Sequence, residues 1–185
     1  MANIGLFLPI DDKILMGRIE SNYDKDTLAV VIYDQQQLEI KPLIGTGLYN
    51  EIQTQIIAGS LTALNTTLLD LIRDCLRHHV LQDWQFESTA KNTNKGAQTM
   101  SGDSSQPAGI DMLAQRVQRY KDKAQVYAQR VSDYLCENSS DYPLYNNPGS
   151  GADTIYPNRK NYGTGWVMDD LDNEDYFYQH RLNQP

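Results

Sequence analysis

The chain has 185 residues, enough for one domain with a sizeable core and an appendage. Hydrophobic residues make up 40% and charged residues 22%, an ordinary globular balance that excludes wholesale disorder. The formal net charge of −8 argues against gripping a nucleic-acid backbone, which needs Lys and Arg to displace counterions.

Residues 1–10 carry a short apolar patch (Ile4, Leu6, Phe7, Leu8) with no basic stretch before it. Pro9 and the Asp11-Asp12 pair end it, so no targeting segment is expected. No run approaches 18 apolar residues, and no membrane span is expected. Residues 1–24 read as an N-terminal arm with one short helix around 12–21.

A helical core domain is expected over residues 25–138. Its first helix follows an Asp cap at Asp24 or Asp26. Leu28, Val31, Ile32, Gln35 and Leu38 keep one face to about Glu39. Pro42 disfavours helix at Lys41, and Pro42-Leu43-Ile44-Gly45-Thr46-Gly47 reads as a turn. Leu48, Ile52 and Ile56 then fall at i, i+4 and i+8 on a short helix that Gly59 is placed to end. The next helix runs from about 65 to 86. Leu64, Leu68, Ile72, Cys75, Leu76, Val80 and Trp84 form its face, and Leu69 widens it, which predicts contact on more than one side.

Residues 88–109 form a long polar inter-helix loop, of a length that is usually functional or disordered, with room for a short hairpin strand around 96–100. Beyond it Ile110, Leu113, Val117, Tyr120, Ala124, Tyr127, Val131 and Tyr134 alternate spacings of three and four, an unbroken heptad seam. Packing within the subunit is the first reading of that seam and packing between subunits the second. Residues 139–185 lose the periodicity but keep many rings. They read as an extended Tyr-rich C-terminal arm whose suspected partner contacts are Tyr142, Tyr145, Tyr156, Tyr162, Trp166, Tyr176 and Tyr178. The fold class expected is therefore mainly α, a small bundle of about four helices.

Chemistry-bearing patterns are weak. Cys75 and Cys136 lie far apart in helical patterns and read as two buried, reduced thiols, with a disulfide as the lesser reading. His78 and His79 are neighbours on a helix, about 100° apart, and cannot share a metal. Asp74 with His78, and His79 with Asp83, stand at i, i+4 and could pair. Gly45-x-Gly47 begins like a dinucleotide fingerprint, but Asn50 stands where the third Gly should be. Residues 169–175 are an acidic cluster without the calcium-loop order, and read as a solvated stretch. No catalytic, cofactor-binding or metal-ligating residue is assigned, and no enzymatic activity or cofactor is expected.

The order of elements carries a resemblance. Asp24-x-Asp26-x-Leu28 opens a helix, and Pro42-Leu43-Ile44-Gly45-x-Gly47-Leu48-Tyr49-x-x-Ile52 follows. A long apolar helix, Thr93-Asn94-Lys95-Gly96 in the polar loop, and a Tyr/Ala-rich helix ending near Tyr142-Pro143 complete it. Over about residues 10–145 this resembles the head–tail connector (adaptor, or neck ring) proteins of tailed bacteriophages, and is similar to those of Bacteroides-group and crAss-like phages. The resemblance implies a structural virion protein that forms a homo-oligomeric, dodecameric ring below the portal protein. Such a ring extends the DNA channel without sequence-specific binding and meets further neck and tail proteins. An acidic ring would repel passing phosphate. The alternative is a non-ring adaptor that captures a protein partner through its C-terminal tail. A helical enzyme built on His78 and His79 is a third reading, and a nucleic-acid-binding regulator a fourth.

Overall fold

A computed structural model describes residues 4–19, 23–88, 90–93, 96–99 and 110–158, with residues 90–93, 96–99 and 110 described in their backbone alone. In chain order the elements are α1 (Lys13–Met16), α2 (Lys25–Gln35), a π-helical turn (Gln36–Ile40), α3 (Lys41–Ile44), α4 (Thr46–Ala58) and α5 (Ala63–Glu87). The hairpin β1 (Ala90–Thr93) and β2 (Gly96–Thr99) follows, then α6 (Ile110–Glu137) and α7 (Pro143–Asn146). The fold is mainly α, with α2, α4, α5 and α6 as its principal helices.

Local chemistry sets most boundaries. The Asp12 carboxylate accepts the Leu15 N–H and starts α1, and the Asp24 carboxylate accepts from the Asp26 N–H and the Thr27 hydroxyl to start α2. Thr62 caps α5 by accepting the Asn65 N–H. Gly59 ends α4 at φ +65°, a left-handed position that a side chain would strain.

The expectation that Pro42 breaks the first helix is corrected. Helix continues through a π turn into α3, with Pro42 in the first turn of α3, where its missing N–H is tolerated. The π turn also explains why Leu38, expected in the core, is 66% exposed. Leu28, Ile32, Gln36, Ile40 and Ile44, spaced by four, are all fully buried. In a regular α-helix such a row drifts about 40° per step. A wider, under-wound turn takes up that drift and keeps the row on one face.

Gln36 is the polar member of that row and ties down the N-terminal segment. Its Oε1 accepts the Phe7 N–H (2.8 Å), and its Nε2 donates to the Tyr49 hydroxyl (2.7 Å) and the Gly5 carbonyl (3.3 Å). The Phe7 ring stacks on Tyr49 at 5.0 Å between centroids. Arg73 Nε donates to the Phe7 carbonyl, and Arg77 makes a two-pronged ion pair with Asp12. Burial alone would raise the Asp12 carboxyl, but hydrogen bonds and charge from Arg77 outweigh it and hold the group below its ordinary range. Phe7, Leu8, Leu15 and Ile19 all join the core. Residues 4–19 are thus part of the bundle rather than an arm.

The two long helices, α5 and α6, form an antiparallel pair. Cys75 Sγ lies 3.5 Å from the Ala124 carbonyl near the middle, and Tyr142, just past α6, donates to the Leu64 carbonyl (2.9 Å) at the start of α5. The seam expected from the heptads faces α5 within the subunit. The broad face of α5 is buried on several sides, although Leu64 itself is exposed. The loop after α5 contains a paired hairpin, Ala90 opposite Thr99 and Thr93 opposite Gly96. Residues 94, 95 and 100–109 of that loop lie outside the described residues.

Candidate functional site

Two features of the bundle point outward from the core. The first is the turn between α3 and α4, which seats the segment after α7. Thr46 donates its N–H to the Ile155 carbonyl (3.0 Å), and its hydroxyl accepts the Ile155 N–H (2.9 Å). Asn158 donates its N–H to the Pro42 carbonyl (2.9 Å). Gly45, at φ +82°, and Gly47 let this strap come close. A Cβ on Gly45 would lie 2.9 Å from Pro157 Cδ, and one on Gly47 2.8 Å from the Pro148 carbonyl oxygen. Gly45-x-Gly47 is thus a backbone seat for a second chain segment, which is why the spacing looks like a nucleotide-binding turn without being preceded by a strand. The same turn holds the last described residues of the chain.

The second feature is the first half of α6. None of residues 111–123 is fully buried, whereas Ala124, Val131 and Leu135 are. Leu113, Val117 and Tyr120 continue the seam here but are only half-covered. Met112 is 60% exposed, and Phe86, at the end of α5, is 50% exposed. In the antiparallel pair these two lie toward the same end of the hairpin, where Met112 is an exposed apolar side chain.

The suspected partner contacts divide. Tyr142 and Tyr145 are 2% and 1% exposed and belong to the chain's own core. The expectation that they contact a partner, and that the arm begins at residue 139, is corrected. Tyr142 is held by its bond to Leu64 and by the Tyr134 hydroxyl at 3.3 Å; burial first, then that hydroxyl, raises its pKa. Apolar ring area outweighed the local Asn, Gly and Pro content. Tyr156 is 64% exposed, on the strap between Ile155 and Pro157. Tyr162, Trp166, Tyr176 and Tyr178 lie outside the described residues.

The histidines do not pair as their spacing allowed. Asp74 is taken by Arg77, and Asp83 accepts from Gln35 Nε2 (3.1 Å). His78 instead stacks on Tyr127 and Tyr120, at 5.1 and 6.2 Å between centroids, and its Nδ1 has no hydrogen-bond partner among the described residues. Burial, aided by Arg18 and Lys123, lowers its pKa to about 4, so the ring is neutral near pH 7. His79 is lowered by burial as well, against the pull of Glu39. Cys75 is buried and its thiol pushed up to about 12, an inert group. Cys136 is exposed, which corrects the expectation of two buried thiols, and both are free. Among the described residues no group of three His, Cys, Asp or Glu side chains is placed to hold a metal ion. No single helix there is long and apolar enough to cross a membrane.

Sequence reasoning missed Gln36, Thr46, Pro148 and Pro157 as positioning residues. Thr46 between two glycines was the available signal, since neither glycine was needed merely to end a helix. Residues 40–155, more than half of the chain, match the model of a family of unknown function (DUF6712). That span opens at the end of the π turn and closes at the strap residue that bonds Thr46, so it takes in the seat together with Pro148 and Ile155 of the strap. No curated protein and no solved structure matches the chain.

Proposed function

We propose that this chain, which belongs to that family, is a structural virion protein of the head–tail connector kind. Its copies assemble as a dodecameric ring below the portal protein, extend the DNA channel, and join the head to neck and tail components. The observation that carries the reading is the half-covered stretch of α6. An amphipathic helix whose heptads continue through residues 111–123 without a fully buried residue suits a contact with a different patch on a neighbouring copy. Met112 extends that edge. The resemblance over residues 10–145 supplies the class of assembly. The net charge of −8, repeated around a ring, would let DNA pass without sequence-specific binding. The strap gives Tyr156 and the residues beyond it a fixed point of departure, from which Tyr162, Trp166, Tyr176 and Tyr178 reach a partner.

The test is negative-stain imaging of the full chain, alone and with its cognate portal, beside a Leu113→Asp/Val117→Asp variant. Wild-type rings capping one end of the portal, and none from a variant that keeps the wild-type circular dichroism spectrum, are expected. Monomers that ignore the portal refute the ring. The exposed Tyr156 favours, as the second reading, an adaptor that captures its partner through the C-terminal tail.

A further inference from the structure

One cluster of charge in the bundle has no ion-paired counter-charge among the described residues. Arg18, just past α1, converges with Arg116, Arg119 and Lys123 of α6 around a cavity of about 290 Å³, with Tyr120 completing the wall. Positions 116, 119, 120 and 123 fall on one helical face. Among the described residues no acidic side chain lines the cavity. None of the four cations is ion-paired to a described residue; the arginines that are paired there are Arg73 and Arg77. Four like charges around one hollow repel each other until an anion enters. A chain with 24 acidic and 16 basic side chains does not concentrate cations this way through composition.

The acidic excess is concentrated too. Residues 169–175 read Asp-Asp-Leu-Asp-Asn-Glu-Asp, and no Lys or Arg occurs from 168 to 180. Trp166 precedes the run, and Tyr176, Phe177 and Tyr178 follow it. Arginine forks fit carboxylates two-pronged, and an aromatic wall suits flanking rings. The reach is sufficient. Ten residues separate Asn158 from Asp169, eleven backbone steps or about 36 Å when extended, close to the length of α5 at about 38 Å.

We propose that this cavity is the receptor for the acidic segment 169–175 of the chain, donated by the same or a neighbouring copy. The proposal rests on the docking role given above to the C-terminal arm, and not on the ring. Phosphates of a nucleic acid would use the same cations, but the surrounding −8 charge opposes a long polyanion more than a short segment of a chain already tethered nearby.

The test uses the full chain and a zero-length carbodiimide, which joins a lysine amine to a carboxylate as an amide with loss of water. Mass spectrometry of the digest is expected to find Lys123 joined to residues 169–175 well above the exposed neighbour Lys121. Mixing isotopically light and heavy chains tells a link within one copy from a link between copies, and either supports the assignment. Raising the salt to about 0.5 M is expected to lower the Lys123 yield several-fold, because it shortens the screening length. Arg116→Glu/Arg119→Glu is expected to lower it about tenfold, two exposed ion pairs being lost and reversed. Equal yields at Lys121 and Lys123, or a yield indifferent to salt, overturn the proposal. So does a missing cross-link in a chain that binds short duplex DNA through Arg116 and Arg119. A cross-link lost while rings still form on the portal sinks the cavity assignment alone; rings lost while the cross-link persists sink the connector reading alone.

Discussion

Gly47→Ala separates the two roles of the Gly45-Thr46-Gly47 turn. Within α4 the change favours helix by up to about 1 kcal/mol, because alanine has less backbone freedom to lose. Against that, the new methyl would sit 2.8, 2.9 and 3.0 Å from the carbonyl oxygen, Cα and carbonyl carbon of Pro148, where ordinary contact begins near 3.4 Å. All three atoms are backbone, so no rotamer relieves the clash and the strap must move by about half an ångström or more. Overpacking of this kind costs about 1–3 kcal/mol. The strap is held by three hydrogen bonds, Thr46 to Ile155 in both directions and Asn158 to Pro42, each with a net value of about 1 kcal/mol. A loss of that order shifts local opening of the strap by about tenfold without a matching loss of global stability. Amide hydrogen exchange reads it directly. The Ile155 and Asn158 amides are expected to lose about tenfold in protection while amides in the middle of α5 change little. Gly59→Ala is the control: no atom lies within 4 Å of its Cβ, and its φ of +65° predicts a loss of about 1 kcal/mol with no effect on the strap. Wild-type protection at Ile155 and Asn158 in the Gly47→Ala chain would refute the seat.

Three further outcomes are expected. Gln36→Leu removes the acceptor of the buried Phe7 N–H and should cost about 2–3 kcal/mol in urea denaturation, while Gln36→Glu, which keeps that acceptor, should lose the donor to Tyr49 and Gly5 instead. Tyr142→Phe should lower stability by about 1 kcal/mol through loss of its hydrogen bond to the Leu64 carbonyl without exposing the strap, checked by denaturation and exchange together. His78, with its folded pKa lowered to about 4, resists a proton that the unfolded chain accepts below about pH 6.5. Stability should therefore fall from pH 6.5 toward 4, by about 1–2 kcal/mol after allowance for solvent screening. A His78→Gln chain should lose the His78 share of that slope and keep that of His79, whose folded pKa is lowered too, the Asp12 contribution disappearing only at lower pH.

Where periodicity was regular, the sequence reading located structure well. The heptad seam and α4 stripe follow from residue spacing, and Asp24 and Gly59 mark helix ends by chemistry that reads from one residue. The misplacements share a cause: a long-range partner overrode a local signal. Leu38 lost its core position because the π turn kept Gln36 and Ile40 in line with Leu28. Gln36 carries no local signal for burial, and only the Phe7 and Gly5 backbone, some thirty positions away, explains it. Tyr142 and Tyr145 sit among Asn, Gly and Pro, which suggest an arm, yet both rings are buried in the core, Tyr142 against the start of α5.

The same long-range logic bears on the candidate sites. A ring-forming protein needs a rigid body, an uncovered edge and a controlled exit for any arm that reaches a neighbour. The turn at 42–47 belongs to the body, and its Thr46 and Pro42 hold the last described residues of the chain. Loosening the strap would leave the α5–α6 pair intact but let the arm depart from a different place, since about 1–2 kcal/mol of local strain is small against the burial along those two helices. Assembly driven through α6 and docking driven through the arm should therefore respond separately. Leu113→Asp/Val117→Asp should abolish rings with the strap still protected, whereas Gly47→Ala should leave ring formation possible and lower the yield of the Lys123 cross-link. If both variants failed identically in both assays, the body and the arm would be one cooperative unit and the division argued from their contacts would be wrong.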